Sequence, residues 1–285
     1  MTRRLLVGMM MFAGALAGAT PWESSGAQPP PPPDRGGRRG MPPRPNVLEK
    51  AFEWSGALAP GQRVVVRNVN GNIRVQPSTG KTLDIVANKF WRRGKPESVK
   101  IDATRFNSDR DVLVCVRWPG TTTCTESEYT HSSHGENDAN DVMVELVIML
   151  PAGANALLTS VAGDISVTDA TGDLWASTAS GRIRLGTSGT VHRAETSAGD
   201  VRVQMAKLPE REGRYAAVTG SVYVTIPENA NANVEARTLH GEIRTDFPIA
   251  VTGPFSSRQL RGTIGKGGPR LVLESMMGAV RVLKQ

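Results

Sequence analysis

The chain has 285 residues, 34 Lys and Arg against 27 Asp and Glu, a formal net charge of +7 and only 5% aromatic residues. Beyond its first 27 residues no apolar run approaches the ~20 residues that a helix needs to cross a bilayer. No nucleic-acid-binding motif accompanies the basic charge, so the excess of Lys and Arg by itself does not select such a partner.

Arg3 and Arg4 open a positively charged segment, Leu5 to Leu16 is apolar, and small residues follow. This pattern reads as a secretory signal peptide over residues 1–27, with cleavage expected after Ala19 or Ala27. Removing it takes away Arg3, Arg4 and Glu23 and leaves 32 basic against 26 acidic side chains, a charge of +6. No Cys precedes Cys115, which excludes a bacterial lipid anchor at the cleavage site. The expected destination is the periplasm or the extracellular space. Residues 28–46 are rich in Pro, Gly and Arg and read as an extended linker.

Residues 47–150 read as a β entry region, with strands expected over 63–68, 72–76, 82–90, 99–103, 112–117 and 142–150. Cys115 and Cys124 are the only cysteines, and in an exported chain an even pair reads as a disulfide. The alternative is a metal site of Cys115, Cys124, His131 and His134, although those spacings match no common zinc pattern. The acidic stretch with Glu126, Glu128, Glu136, Asp138 and Asp141 lacks calcium-loop spacing and reads as a solvated loop.

From residue 151 to 285 a short repeat dominates. It reads SVAGDISV around Gly163 and recurs at Gly181, Gly199, Gly220, Gly241 and Gly278, with an early copy, NVNGNIRV, at Gly71. The glycines from Gly163 onward are 18, 18, 21, 21 and 37 residues apart. Gly262 divides the last interval, and a weaker half-repeat sits at Gly172. A fixed period of this length is the mark of stacked repeats. Glycine suits a turn that needs positive φ or close approach of a neighbouring chain. After it, apolar and polar residues alternate, as in Ile165, Ser166 and Val167. That is the pattern of a half-buried strand. One strand cannot bury its own face, so the expected fold is all-β: a flattened two-sheet β-solenoid preceded by the entry region. Ile165, Ile183, Val201, Val222, Ile243 and Val280 should fall in one inward column.

The early NVNGNIRV copy, the strand ending VIMLPAG, the tandem GDI-type repeats, TDFPI and the closing GTIGKGGPRLVLESMMGAVRV, in that order, resemble the bacterial β-strand-repeat family known as "putative adhesins". The resemblance covers nearly the whole chain after the linker. It implies an exported β-solenoid and no established activity, and it offers no catalytic residues.

Asp164, Asp173, Asp200 and Glu242 follow turn glycines. They read as turn chemistry, short side chains bonding their own backbone. His192 and His240 occupy repeat positions and read as ordinary strand or turn residues. No nucleophile elbow, H-E-x-x-H motif or phosphate loop occurs. Three residues after each turn glycine stand Arg74, Ser166, Arg184, Arg202, Tyr223, Arg244 and Arg281. Stacked, they would form an outward basic column with one aromatic. The arginines and Tyr223 are therefore the expected binding residues, facing an anionic envelope polysaccharide or lipid surface. No catalytic residue, metal or cofactor is expected. The function read here is structural or binding, without catalysis. A carbohydrate-active enzyme on the same scaffold, and a self-associating envelope subunit paired through open strand edges, are the alternatives.

Overall fold

A computed structural model describes residues 45–132, 140–252 and 256–285. The expected signal peptide and nearly all of the expected linker lie outside the described residues, as do His134, Glu136 and Asp138. The first part of the chain forms β1 (Asn46–Ala57), β2 (Arg63–Arg67), β3 (Ile73–Pro77), β4 (Thr82–Trp91), β5 (Lys100–Phe106), β6 (Asp111–Arg117), β7 (Thr121–Cys124), β8 (Tyr129–Ser132) and β9 (Met143–Leu150). The repeats form β10 (Asn155–Ala162), β11 (Ile165–Ala170), β12 (Leu174–Ser180), β13 (Ile183–Ala198), β14 (Val201–Lys207), β15 (Glu212–Thr219) and β16 (Val222–Ile226). The last part forms β17 (Ala232–His240), β18 (Ile243–Thr245), β19 (Ile249–Val251), β20 (Gln259–Ile264), β21 (Arg270–Met277) and β22 (Val280–Lys284).

The chain alternates between two layers, one strand in each per rung. In the first layer the neighbours run β1, β4, β9, β3, β11, the first half of β13, β14, β16, β22 and β18. In the second they run β5, β6, β2, β10, β12, the second half of β13, β15, β21, β17, β20 and β19. The rungs pair in parallel; antiparallel strands close both layers at one end and the second layer at the other, where the first layer ends on the parallel strand β18. The Gly71 copy, far away in sequence, lies directly beside the Gly163 copy, because β2 and β3 bond β10 and β11.

The expected inward column forms. Ile73, Ile165, Ile183, Val201, Val222, Val280 and Ile243 follow one another across the first layer. All but Ile243 are fully buried. A second column, Val75, Val167, Leu185, Val203, Val224 and Val282, runs beside it. Together with Ala156, Leu158, Leu174, Ala194, Tyr215 and Leu273 of the second layer they form one continuous core. The core is narrow and aliphatic, as the low aromatic content anticipates.

Three features depart from the expected arrangement. Gly262 does not mark a rung: it sits inside β20, an antiparallel strand of the end cap. The 37-residue interval arises because β18 to β20 build that cap before the chain returns. Its returning strands β21 and β22 then insert between the Gly220 and Gly241 rungs rather than after them. Finally, part of the acidic loop is structured: β7 and β8 pair as a hairpin, and Asp141 accepts hydrogen bonds from the backbone N–H groups of Arg92, Arg93 and Gly94. Polar composition hides both, since neither has an apolar period.

Glu235 pins the inserted rung in place. Its nearly buried carboxylate meets Arg270 of β21 at 2.7 Å and Arg261 of β20 at 2.9 Å, with Arg237 beside it. The Arg270 and Arg261 hydrogen bonds, offset in part by burial, bring its pKa from 4.5 down to about 2. A depressed carboxylate contributes stability that is full above its unfolded value and lost as pH falls through the folded value. Stability should therefore decline between pH 4.5 and about pH 2. The Glu235 share should be about 1–2 kcal/mol, with screening by the half-exposed arginines allowed for. Urea melts of parent and Glu235→Gln at neutral and acid pH check this: the variant's deficit should shrink towards pH 2, and a deficit independent of pH refutes it.

Candidate functional site

The glycine edge sets the geometry of both outer faces. Gly71, Gly163, Gly181, Gly199, Gly220, Gly278 and Gly241 stack in that spatial order. A Cβ on Gly163, Gly181, Gly199 or Gly220 would lie about 2 Å from the carbonyl oxygen of the glycine before it. Those four glycines also have φ between +139° and +157°. Around them run two polar ladders. Ser160, Thr178, Thr196, Ser275 and Thr238, three residues before a turn glycine, donate from their buried hydroxyls to the glycine carbonyls of the neighbouring rung, at 3.4 to 2.8 Å. Ala217 holds the same place without a hydroxyl. This S/T-x-x-G pattern is written in the repeat, but as a polar signal it lies outside the apolar alternation that marks the strands.

The second ladder corrects the turn-chemistry expectation. Asn72, Asp164 and Asp200 do not bond their own backbone. Each accepts the N–H of the next rung, from Asp164, Arg182 and Ser221 in turn, at 2.8–2.9 Å. On the opposite edge Asp173 does the same for Thr190 at 3.1 Å. Stacked rungs leave these N–H groups facing one another's turns rather than their own. Burial of the Asp164 carboxyl opposes ionisation but is outweighed by the N–H and guanidinium of Arg182, with Arg184 adding to them, which hold it below the usual carboxylate range.

On the outer face of the first layer the expected column is assembled in order: Arg74, Ser166, Arg184, Arg202, Tyr223, Arg281 and Arg244. Strands are about 4.8 Å apart, so successive side chains repeat at that distance. Tyr223 is held between two cations, with the Arg202 guanidinium 4.8 Å and the Arg281 guanidinium 5.8 Å from its ring centre. Acids temper the column: Arg74 pairs with Glu145 at 2.8 Å, Arg202 with Asp200 at 3.0 Å and Arg244 with Glu242 at 2.7 Å. Beside the column the side chain missing at Gly186 leaves a hollow of about 350 Å³, lined among others by Arg184, Arg202, Gln204, Tyr223 and Thr225.

Cys115 and Cys124 form a disulfide. Both sulfurs are thereby occupied, which overturns the alternative metal site built on their thiolates. The bond lies on the outer face of the second layer, where it ties the β7–β8 hairpin down. Val65, Leu113 and Cys115 form a small separate core there, with Phe106, Cys124 and Leu157 packed on it. Tyr129 of the hairpin donates to the Val116 carbonyl at 2.8 Å, and its burial pushes the phenol pKa up. Arg67 donates to the Glu126 carbonyl at 2.7 Å.

Where the hairpin ends, the second layer opens. A hollow of about 390 Å³ lies between Glu126 and Ser127 of the hairpin turn and Trp175, Ser177, Arg193 and Glu195 of the sheet. A larger one, about 820 Å³, shares Ser177, Arg193 and Glu195 and continues across Arg214, Glu274 and Arg237. His192, read from sequence as an ordinary strand residue, lies flat on Trp175, ring centres 4.5 Å apart and planes 5° apart, with Asp173 at 3.3 Å from its Nε2.

The fold defines a class: a β-solenoid of two-strand rungs. The chain belongs to the Toastrack DUF4097 family, whose model matches residues 61–283. A comparison with curated protein sequences finds no match. Among solved structures, a putative cell adhesion protein from Clostridium sporogenes is similar at 12% identity and a TM-score of 0.45, over 82% of this chain and 99% of that one. A putative adhesin from Bacteroides fragilis is similar at 9% identity and a TM-score of 0.32, over 84% and 97%. Among the described residues no helix is long and apolar enough to cross a membrane.

Proposed function

We propose that this protein is an exported, non-catalytic binding module of the bacterial envelope, and that the outer face of its first layer holds an extended anionic polymer. The observation that carries the reading is the unbroken outward column from Arg74 to Arg244, with Tyr223 between Arg202 and Arg281 and a hollow alongside. Stacked rungs present charge at a regular spacing, which suits a ligand that is itself a repeating chain. The arginine forks offer paired donors to carboxylate or phosphate groups. The binding reading is also supported by the carboxylates of the second face. Glu195 and Glu274 are both engaged by Arg214, at 2.9 and 2.6 Å, rather than standing as a free carboxylate pair. The edges bear on self-association: antiparallel strands end the second layer on both sides and the first layer at β1, where a bulge lies between Leu48 and Phe52, and the other edge of the first layer is the short, three-residue β18, features that blunt edge-to-edge pairing.

The test is a salt titration of parent and an Arg184→Ser, Arg202→Ser, Arg244→Ser triple variant against acidic polysaccharides, lipopolysaccharide and anionic vesicles. Parent binding should weaken steadily with salt, since exposed charges are screened over about 10 Å at 0.1 M. The triple variant should bind at least about tenfold more weakly, roughly 1.4 kcal/mol, with an unchanged melting temperature, because outward strand positions contribute little to the core. A variant that binds like the parent refutes the reading. If neither binds, self-association becomes the leading account and light scattering is the next measurement.

A further inference from the structure

We infer a second site, independent of the reading just given: the groove on the outer face of the second layer binds an uncharged saccharide chain. Its floor is built from consecutive strands. Trp175 and Ser177 come from β12, Arg193 and Glu195 from β13, Arg214 from β15, Glu274 from β21 and Arg237 from β17. Four strand spacings separate the Trp175 strand from the Arg237 strand, a length of about 19 Å. The two hollows adjoin at Ser177, Arg193 and Glu195, which line both, and together they follow that length.

Three features select the ligand. The first is the half-buried indole of Trp175, whose ring is steadied from one side by His192. A preorganised aromatic face is a platform for the C–H face of a sugar ring, and little side-chain freedom remains to be lost on binding. The second is charge balance. Arg193 meets Glu195 at 2.7 Å, Arg214 bridges Glu195 and Glu274, and Arg237 pairs with Glu235 of its own strand. Groups paired in this way neutralise one another and still offer donors and acceptors. That suits hydroxyls, which both donate and accept, better than it suits a polyanion. The third is an apolar strip along β15, β21 and β17, where Val218, Met276 and Leu239 sit exposed on adjacent strands. A saccharide has both kinds of surface. An extended peptide seeks backbone hydrogen bonds from an open edge, and this floor is a sheet face whose backbone groups are already paired. The disulfide-tied hairpin supplies the wall beside Trp175, with Glu126 and Ser127 at its rim.

The experiment titrates the full chain with neutral tetrasaccharides (chitotetraose, cellotetraose, maltotetraose and mannotetraose), followed by tryptophan fluorescence and calorimetry. At least one should bind saturably, with an affinity that hardly changes between about 50 and about 500 mM salt, since no net charge is exchanged. That salt behaviour separates this site from the first-layer column. Trp175→Ala should weaken binding at least about tenfold, roughly 1.4 kcal/mol, and Trp175→Phe should retain most of it. Ser177→Phe, which fills the floor where the hollows meet, should abolish binding at an unchanged melting temperature. Saturable binding by none of the four sugars overturns the inference. So does binding that Trp175→Ala and Ser177→Phe both leave within about twofold of the parent. Neither result bears on the proposed polymer face of the first layer.

Discussion

Gly181→Ala should destabilise the protein by about 3–5 kcal/mol, an unusually large effect for the addition of one methyl group. Two costs combine. Gly181 has φ of +151°, where an L side chain is strained, at about 1–2 kcal/mol. Its new Cβ would lie 2.1 Å from the carbonyl oxygen and 2.5 Å from the carbonyl carbon of Gly163. Those are backbone atoms in a packed rung and have no alternative rotamer. The oxygen already accepts from Thr178, and the two rungs are held together by the Gly163 N–H on the Ser180 carbonyl at 2.8 Å. Relieving the collision means spreading the rungs and lengthening that bond. Gly61 separates the two costs. Its φ is +80° but a Cβ there meets nothing within 4 Å. Gly61→Ala should therefore carry only the conformational part, about 1–2 kcal/mol. Urea unfolding of both variants beside the parent decides it, and equal losses would show that backbone strain alone explains the glycine column.

That column was legible from spacing because it combines two constraints on one residue type. The same holds for Ile165, Ile183 and Val201, where period-two alternation and a fixed repeat give one register. The outward arginines followed from the same arithmetic. Legibility ended where the chain departs from sequential stacking. Nothing in the residues around Gly278 states that β21 and β22 insert between the Gly220 and Gly241 rungs, because any Val-rich rung fits beside any other. The insertion is fixed by pairings between distant segments, such as Glu235 with Arg270. The second face was hidden for a related reason. Trp175, Arg193 and Glu195 look like ordinary outward residues along their own strands. They become a groove only beside the hairpin, whose place is set by the bond from Cys115 to Cys124. A sequence with so few aromatics gives Trp175 some prominence, yet its stacking on His192 depends on the register shift between Leu174 and Trp175 where β12 pairs with β13.

Ile183→Asp should cost at least about 4 kcal/mol at neutral pH, a large share of the ~5–15 kcal/mol that holds a domain folded. Ile183 is fully buried, with Ile165 and Val201 as its rung neighbours. Loss of the aliphatic side chain and the space it leaves accounts for about 2–5 kcal/mol. An unpaired carboxylate in an aliphatic core adds a further penalty, met by forcing the acid to stay protonated. The sign of the pH response follows. Burial raises the folded-state pKa of the new acid above its unfolded value of about 3.9. The deficit is therefore smallest below that value, where both states hold the proton, and grows as pH rises through the folded pKa. The Gly181→Ala deficit, purely steric, should not change with pH. Arg184→Asp places the same acid one residue along on the outward face and should change stability by less than about 1 kcal/mol. Thermal and urea melts at acid and neutral pH compare the three. If Ile183→Asp matched the parent, the side chain would face solvent, and the two-layer stack with its single aliphatic core would be refuted.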